Sequence, residues 1–304
     1  MKLISIDEAQ GASAALLIGE PGTYRVRRIT GGQPRSSGVA MREILTDWAS
    51  WRNRLTELQR QPPNPSDVAL DDVRLLAPVP EPRSLICVGL NYHDHAAETG
   101  AASPTEPVLF AKQVNCVVGP DSSIVLPSGS AEVDYEAELA VVIGAQVANV
   151  APEDCLDRVV GYTAFNDVSA RDWQARTSQW MAAKSFATFG PMGPALVTTD
   201  EIPDPQQLGI QLLLNGERLQ DSHTSQMIFS VAEIISFISR VWTLQPGDVI
   251  ATGTPAGVGF TRTPPIFLHD GDAVEVRVDQ IGSLRSTVCR AADRERPVET
   301  WSGR

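Results

Sequence analysis

Short apolar runs with a two-residue alternation dominate this chain, and only a few stretches repeat at three and four. KLISI (2–6), AALLI (14–18) and YRVRRI (24–29) predict the strands of a small meander. Ile44, Leu45, Trp48, Trp51, Leu55 and Leu58 predict a helix over Met41–Gln61, broken by PPNPSD. LICVGL (85–90) predicts a buried strand running into a loop, and VDYEAELAVVIG (133–144) and VVGYTAFNDV (159–168) predict two more. Asn215-Gly216 marks a hairpin, because both residues tolerate positive φ. Ser230-x-x-Glu233 forms a capping box before a helix carrying Ile234, Ile235, Ile238 and Val241. DAVEVRV and GSLRSTV predict a late strand pair. The pattern is α+β and β-dominated, not a regular βαβ array. It divides near residue 70 into a small N-terminal α+β lobe (1–70) and a main domain (71–300).

Composition narrows the function. The chain has 304 residues, 42% of them hydrophobic, enough for a sizeable core. A formal net charge of −12 argues against a nucleic-acid or anionic-membrane surface, since both need clustered Lys and Arg. No apolar run approaches the ~20 residues of a membrane helix, and MKLISIDEAQ lacks the apolar core of a signal peptide. Cys87, Cys116, Cys155 and Cys289 show no C-x-x-C spacing and read as reduced thiols of a cytoplasmic protein.

Three acids carry the candidate chemistry. Glu136 and Glu138 are two apart in an apolar run, hence on one face of a strand, and Asp167 ends a second apolar run. Like charges on a buried face are costly unless neutralised. A hard divalent cation does so, and all-carboxylate ligation favours Mg²⁺, Mn²⁺ or Ca²⁺ over zinc. The alternative is a solvated strand face with Asp167 capping a turn. His95 and Glu98 are three apart, on one face of any helix there. Such a pair suits general-base work, though surface pairs of this spacing are common.

Seven segments together resemble the fumarylacetoacetate hydrolase family, in its shorter acylpyruvase-like or 2-hydroxyhepta-2,4-diene-1,7-dioate isomerase-like branch. They are VGLNYHDHAAE (88–98), EPVLFAK (106–112), DYEAELAVVIG (134–144), GYTAFNDVSARDWQ (161–174), AKSFATFGPMGP (183–194), LNGERLQDSHTSQMIFSVAEII (214–235) and PGDVIATGTPAGVGF (246–260). The resemblance spans roughly residues 75–290. It implies a rolled, mixed β-sheet fold with a metal at its mouth, and a homodimer. It implies Glu136, Glu138 and Asp167 as ligands of Mg²⁺ or Mn²⁺, with Ca²⁺ an alternative. It implies His95 and Glu98 as a water-activating dyad on a lid, and Lys184 beside the metal, binding substrate oxygen or enolate charge. Arg171 and Gln174 match substrate-contacting or site-shaping positions, although Arg171 is equally a candidate ion-pair partner of Asp172 or a neighbouring acid. Thr254 lies in a glycine-rich loop without nucleotide-binding spacing and would bind the substrate carboxylate. Lys112 reads as a pocket-rim or a structural lysine.

The expected activity is hydrolysis of a carbon–carbon bond in a small β-diketo, acylpyruvate-like acid, through an enolate. The alternatives are decarboxylation of an oxaloacetate-type β-keto acid, keto–enol isomerisation or hydration, or a non-catalytic metal- or ligand-binding protein. Several residues depart from the family pattern: Gln113, Ala183, Ala187, His223 and Gln226. Loss of an acid at Ala187, beside Lys184, suggests a substrate bulkier or more apolar at its distal end than acetylpyruvate.

Overall fold

The computed structural model describes residues 1–9, 11–30 and 40–291, so the last residues assigned to the main domain, 292–300, lie outside it. Among the described residues a twelve-stranded mixed sheet and a five-stranded sheet make the body. The large sheet is antiparallel except where Val249–Ala251 runs parallel to Leu85–Gly89 and Val117–Val118 parallel to the start of Gly190–Thr198. Its centre is Ala137–Ile143, flanked by Val159–Asn166 and Val249–Ala251 and buried at every residue. Burial on both faces explains its near-continuous apolar run. The five-stranded sheet holds the predicted hairpin, Gly209–Leu214 and Glu217–His223. Asn215 and Gly216 turn at φ 53° and 84° between these strands. It also holds the predicted late pair, Ala273–Val278 and Gly282–Arg290.

Two expected elements are interrupted, each for a local reason. The run from Val133 breaks at Tyr135 and Glu136, between Val133–Asp134 and Ala137–Ile143. Side chains take over the ladder there. Asp134 Oδ1, Asn166 Oδ1 and Gln220 Oε1 accept the N–H groups of Tyr135, Glu136 and Ala137. The expected Met41–Gln61 helix is two, Met41–Thr46 and Trp48–Arg60, parted at Asp47 (φ −126°, ψ 49°). Asp is a weak helix former, and Leu45, Trp51 and Leu55 still reach the core from both pieces. The capping box at Ser230 and Glu233 forms as expected, opening Val231–Val241.

The N-terminal strands extend the main sheet. Lys2–Glu8 pairs with Gly190–Thr198, and Gly11–Ile18 and Arg25–Arg28 follow outward. Leu3, Leu16, Ile29 and Ile44 join the same apolar cluster as Leu139 and Val141, while Ile4, Ile6, Leu17 and Val26 pack on the opposite face. Arg27 ties this region together. Its guanidinium lies 2.6 Å from Asp67 and donates to the carbonyls of Leu58, Gln61 and Pro62, closing the end of Trp48–Arg60. The pair is 3% and 1% exposed. Removing one member of a buried pair strands the other charge, so Arg27→Met is expected to cost about 3–5 kcal/mol of stability, read from urea unfolding.

Candidate active site

The fold brings the three acids together. Glu138 sits in the central strand, Glu136 in the break before it, and Asp167 just beyond Val159–Asn166, where its N–H donates to Glu136 O at 2.9 Å. One oxygen from each carboxylate lies within 4.8 Å of the others, and all three residues are buried. The solvated-face alternative therefore does not apply.

Buried cations answer part of this charge. Lys184 Nζ lies 2.8 Å from Glu136 Oε2 and 2.7 Å from Asp167 Oδ2. Lys112 Nζ reaches Asp167 Oδ1 at 2.5 Å and Val168 O at 3.1 Å. Arg171 Nη2 lies 2.8 Å from Asp134 Oδ2 and 2.7 Å from Glu136 Oε1, electrostatic contacts that are not aligned as hydrogen bonds. Its Nε–H does donate to Asp134, at 2.9 Å. Burial alone would push the Glu136 carboxyl up, but Lys184 and Arg171 outweigh it and hold it at about 2. Burial and the charges of Asp167 and Glu136 instead push Glu138 well up. Among the described residues no basic side chain pairs with Glu138. Its one polar partner here is the Gly253 N–H at 3.0 Å, offered by a backbone at φ +99° that favours glycine.

That imbalance is the test of a metal. Asp134, Glu136, Glu138 and Asp167 face Lys112, Arg171 and Lys184, four buried acids against three buried bases. The surplus sits at Glu138. Carboxylate oxygens carry two lone pairs each, so those already bonded to lysine retain ligating capacity. A hard divalent cation fits this donor set.

The side-chain contact expected of His95 and Glu98 at i,i+3 is present. His93–Thr99 is helical, and His95 Nδ1 lies 3.2 Å from Glu98 Oε2. Glu98 Oε1 accepts from the Gly257 N–H at 3.0 Å. Asp94, unmarked by sequence reasoning, accepts from the His95 N–H, the Ala256 N–H and the Ser222 hydroxyl. Two carboxylates thus tie the helix to the glycine-rich loop. Thr254 Oγ1 accepts from Gln220 Nε2 at 2.8 Å, which leaves its own O–H to donate. His95, Glu136, Glu138, Lys184 and Thr254 all line one cavity of about 170 Å³. Arg171 and Gln174, joined at 2.9 Å, line it too.

Some expectations change. Lys112 is not at the rim. It is 2% exposed, behind Asp167, and absent from the cavity lining, so its structural reading is the one the geometry supports. Arg171 pairs with Asp134 and Glu136, not with Asp172, which accepts from Ser130 instead. Ala187 is exposed and does not line the cavity, while Lys184 keeps two carboxylate partners without an acid there. Ala187 therefore gives no room for a bulkier substrate, and the small cavity opposes one. His223 accepts the Ser225 N–H, as a turn-stabilising residue does, and Gln113 is exposed. Phe110, Trp180 and Phe260, which line the cavity, and Asp134 and Gln220, which hold Arg171 and Thr254 from behind it, are residues that sequence reasoning missed. Only Asp134, a third acid in VDYEAE, carried a visible signal.

No helix among the described residues is long and apolar enough to cross a membrane. Residues 84–289 match the family model described as fumarylacetoacetate (FAA) hydrolase C-terminal. The chain is 48% identical over 219 residues to the mitochondrial oxaloacetate tautomerase fahd2 of Xenopus laevis, covering 71% of this chain and 69% of that protein. Fumarylacetoacetate hydrolase from Exiguobacterium antarcticum has a similar solved structure, with TM-score 0.80 and 36% identity, over 96% of this chain and 100% of that one. So does 2-hydroxyhepta-2,4-diene-1,7-dioate isomerase from Mycobacterium marinum, with TM-score 0.75 and 36% identity, over 96% and 99%. The matched span takes in the triad, the dyad and Lys184, and with it this chain belongs to the fumarylacetoacetate hydrolase family of enzymes.

Proposed function

We propose that this enzyme interconverts the keto and enol forms of a small 2-oxo acid with an activated C3, of the oxaloacetate type. The observation that carries the reading is a cavity of about 170 Å³ lined by Glu136, Glu138 and His95, with Asp167 completing the carboxylate triad behind it and Glu98 holding His95. Pockets for drug-sized ligands start near ~300 Å³, so a short acid fits this cavity better than a long one. The names of similar proteins, oxaloacetate tautomerase and dienedioate isomerase, support proton transfer over bond cleavage. The resident cation would be Mg²⁺ or Mn²⁺, held by Glu136, Glu138 and Asp167.

When bound, that cation supplies Lewis-acid stabilisation of negative charge on the C2 oxygen. The protein's own residues move the proton. His95 donates its Nδ1–H to Glu98, which leaves Nε2 free to accept a proton from C3. The C3–H electron pair becomes the C2–C3 double bond, and the carbonyl pair moves onto the C2 oxygen. The imidazolium then returns its proton to that oxygen, completing a 1,3 shift without net proton uptake. Asp167 and Glu136 hold the Lys184 ammonium charged against burial, so Lys184 acts as a hydrogen-bond donor to developing charge and not as a base. Thr254 offers its hydroxyl to the substrate carboxylate. The latched His93–Thr99 helix excludes bulk water from the enolate.

Hydrolysis of an acylpyruvate is the second reading, favoured by the solved relative named fumarylacetoacetate hydrolase. Product analysis by NMR with Mg²⁺ or Mn²⁺ separates the two. The first reading expects oxaloacetate to tautomerise without faster release of pyruvate, and acetylpyruvate to remain uncleaved. Rapid formation of acetate and pyruvate from acetylpyruvate would establish the hydrolase instead.

A further inference from the structure

The cavity has one wall that the proposed mechanism does not use. The strand Leu85–Gly89 ends against the indole of Trp180. A Cβ added to Gly89 would lie 2.5 Å from Trp180 Cζ3 and 3.1 Å from Cη2. No residue but glycine leaves that ring its place. Phe110, on the neighbouring strand Val108–Lys112, meets the indole edge-on, with ring centroids 5.4 Å apart at 71°. Gly89, Phe110 and Trp180 all line the cavity. The ring is therefore seated on backbone on one side and braced by an aromatic edge on another.

The same turn places the indole and the catalytic lysine. The N–H groups of Ala183 and Lys184 donate to the Trp180 carbonyl at 3.0 and 3.2 Å, and Lys184 closes this short helix, Met181–Lys184, on Glu136 and Asp167. The wall's position relative to the carboxylates is thus set within four residues of chain. The aromatic wall adjoins the charged groups, since Lys184 Nζ lies 5.0 Å from the Phe110 ring centroid, and it presents carbon to the cavity instead of charge.

We propose that Trp180 is a specificity-determining residue: its indole, seated on Gly89 and braced by Phe110, limits how far the substrate chain extends beyond C3 and confines the site to short 2-oxo acids. This rests on the proposed reading of the site as one for 2-oxo acids. Lengthening the chain by a methylene requires displacing a ring that is backed by Gly89 and braced by Phe110. One methylene in a fitted pocket typically changes discrimination 10–200-fold.

The test uses binding as well as turnover, so that the two readings fail separately. Oxamate, N-ethyl oxamate and N-butyl oxamate are titrated by calorimetry into the Mg²⁺-loaded enzyme and into Trp180→Ala and Trp180→Phe. In parallel, enol decay is followed for oxaloacetate and for acetyl- to hexanoylpyruvate. The wild type should prefer oxamate and lose at least tenfold in affinity by N-butyl oxamate. Trp180→Ala should reverse or flatten that ranking, with Trp180→Phe between, and kcat/KM for the longer acids should rise at least tenfold relative to oxaloacetate. A size ranking in Trp180→Ala identical to that of the wild type overturns the wall. So does wild-type binding of N-butyl oxamate as tight as oxamate. If the oxamate ranking shifts as expected but no enol decay is accelerated by the wild type, the wall stands and the keto–enol reading fails. If no oxamate binds any of the three proteins, both fail.

Discussion

Glu138→Ala, and the isosteric Glu138→Gln, are expected to abolish turnover and to weaken divalent-cation binding by more than about 100-fold, with the fold intact. Loss of a residue that merely orients a ligand costs 10–100-fold in metal affinity, and loss of a ligand costs more. Glu138 is the member of the triad with no basic partner among the described residues, so its charge is the one a cation most directly answers. The same fact predicts an opposite effect on stability. In chelator at neutral pH, Glu138→Gln should unfold at the same or higher urea than the wild type. It removes like-charge repulsion with Asp167 and Glu136 and can still accept the Gly253 N–H. Isothermal calorimetry with Mg²⁺ and Mn²⁺, beside urea unfolding, checks both halves. Near-native cation affinity in either variant would remove Glu138 from the site.

His95→Ala is expected to slow catalysis by roughly 10²–10⁴, the usual contribution of a general acid–base residue, while leaving cation binding as in the wild type. His95 lines the cavity, makes no contact with the triad in the salt-bridge or hydrogen-bond network, and is oriented by Glu98. The loss should fall on kcat, because proton transfer occurs only on the way to the transition state. Calorimetry and steady-state kinetics on one preparation distinguish this from unfolding of the lid. Turnover within a few-fold of wild type would make the His95–Glu98 pair a latch and not a dyad.

Local signals in the sequence were accurate where the physics is local. Asn215-Gly216 forms its hairpin and Ser230–Glu233 its capping box, because each is decided within a few residues. The i,i+3 spacing of His95 and Glu98 likewise needs only a turn of helix to become a contact. The triad was legible because acids in apolar runs are costly and therefore uncommon without a reason. Partners distant in sequence were not legible. Nothing in KLISI announces that it pairs with residues near 197, or that Lys112 lies under Asp167. The break at Glu136 depends on side chains of Asn166 and Gln220, far along the chain, replacing ladder partners. Trp180 escaped notice for the same reason. Its significance lies in Gly89 and Phe110, some seventy to ninety positions away.

With a cation on the triad and His95 as base, the site is proposed to shift a proton on a small 2-oxo acid. The decay of the enol absorbance of oxaloacetate tests it most directly, followed with the enzyme as prepared with Mg²⁺, after chelation, and after Mg²⁺ or Mn²⁺ is restored. The expected result is acceleration that chelation abolishes and either cation restores, with the stoichiometry of keto product matching the enol lost. Acceleration that survives chelation, or none above buffer while acetylpyruvate is cleaved, would contradict it.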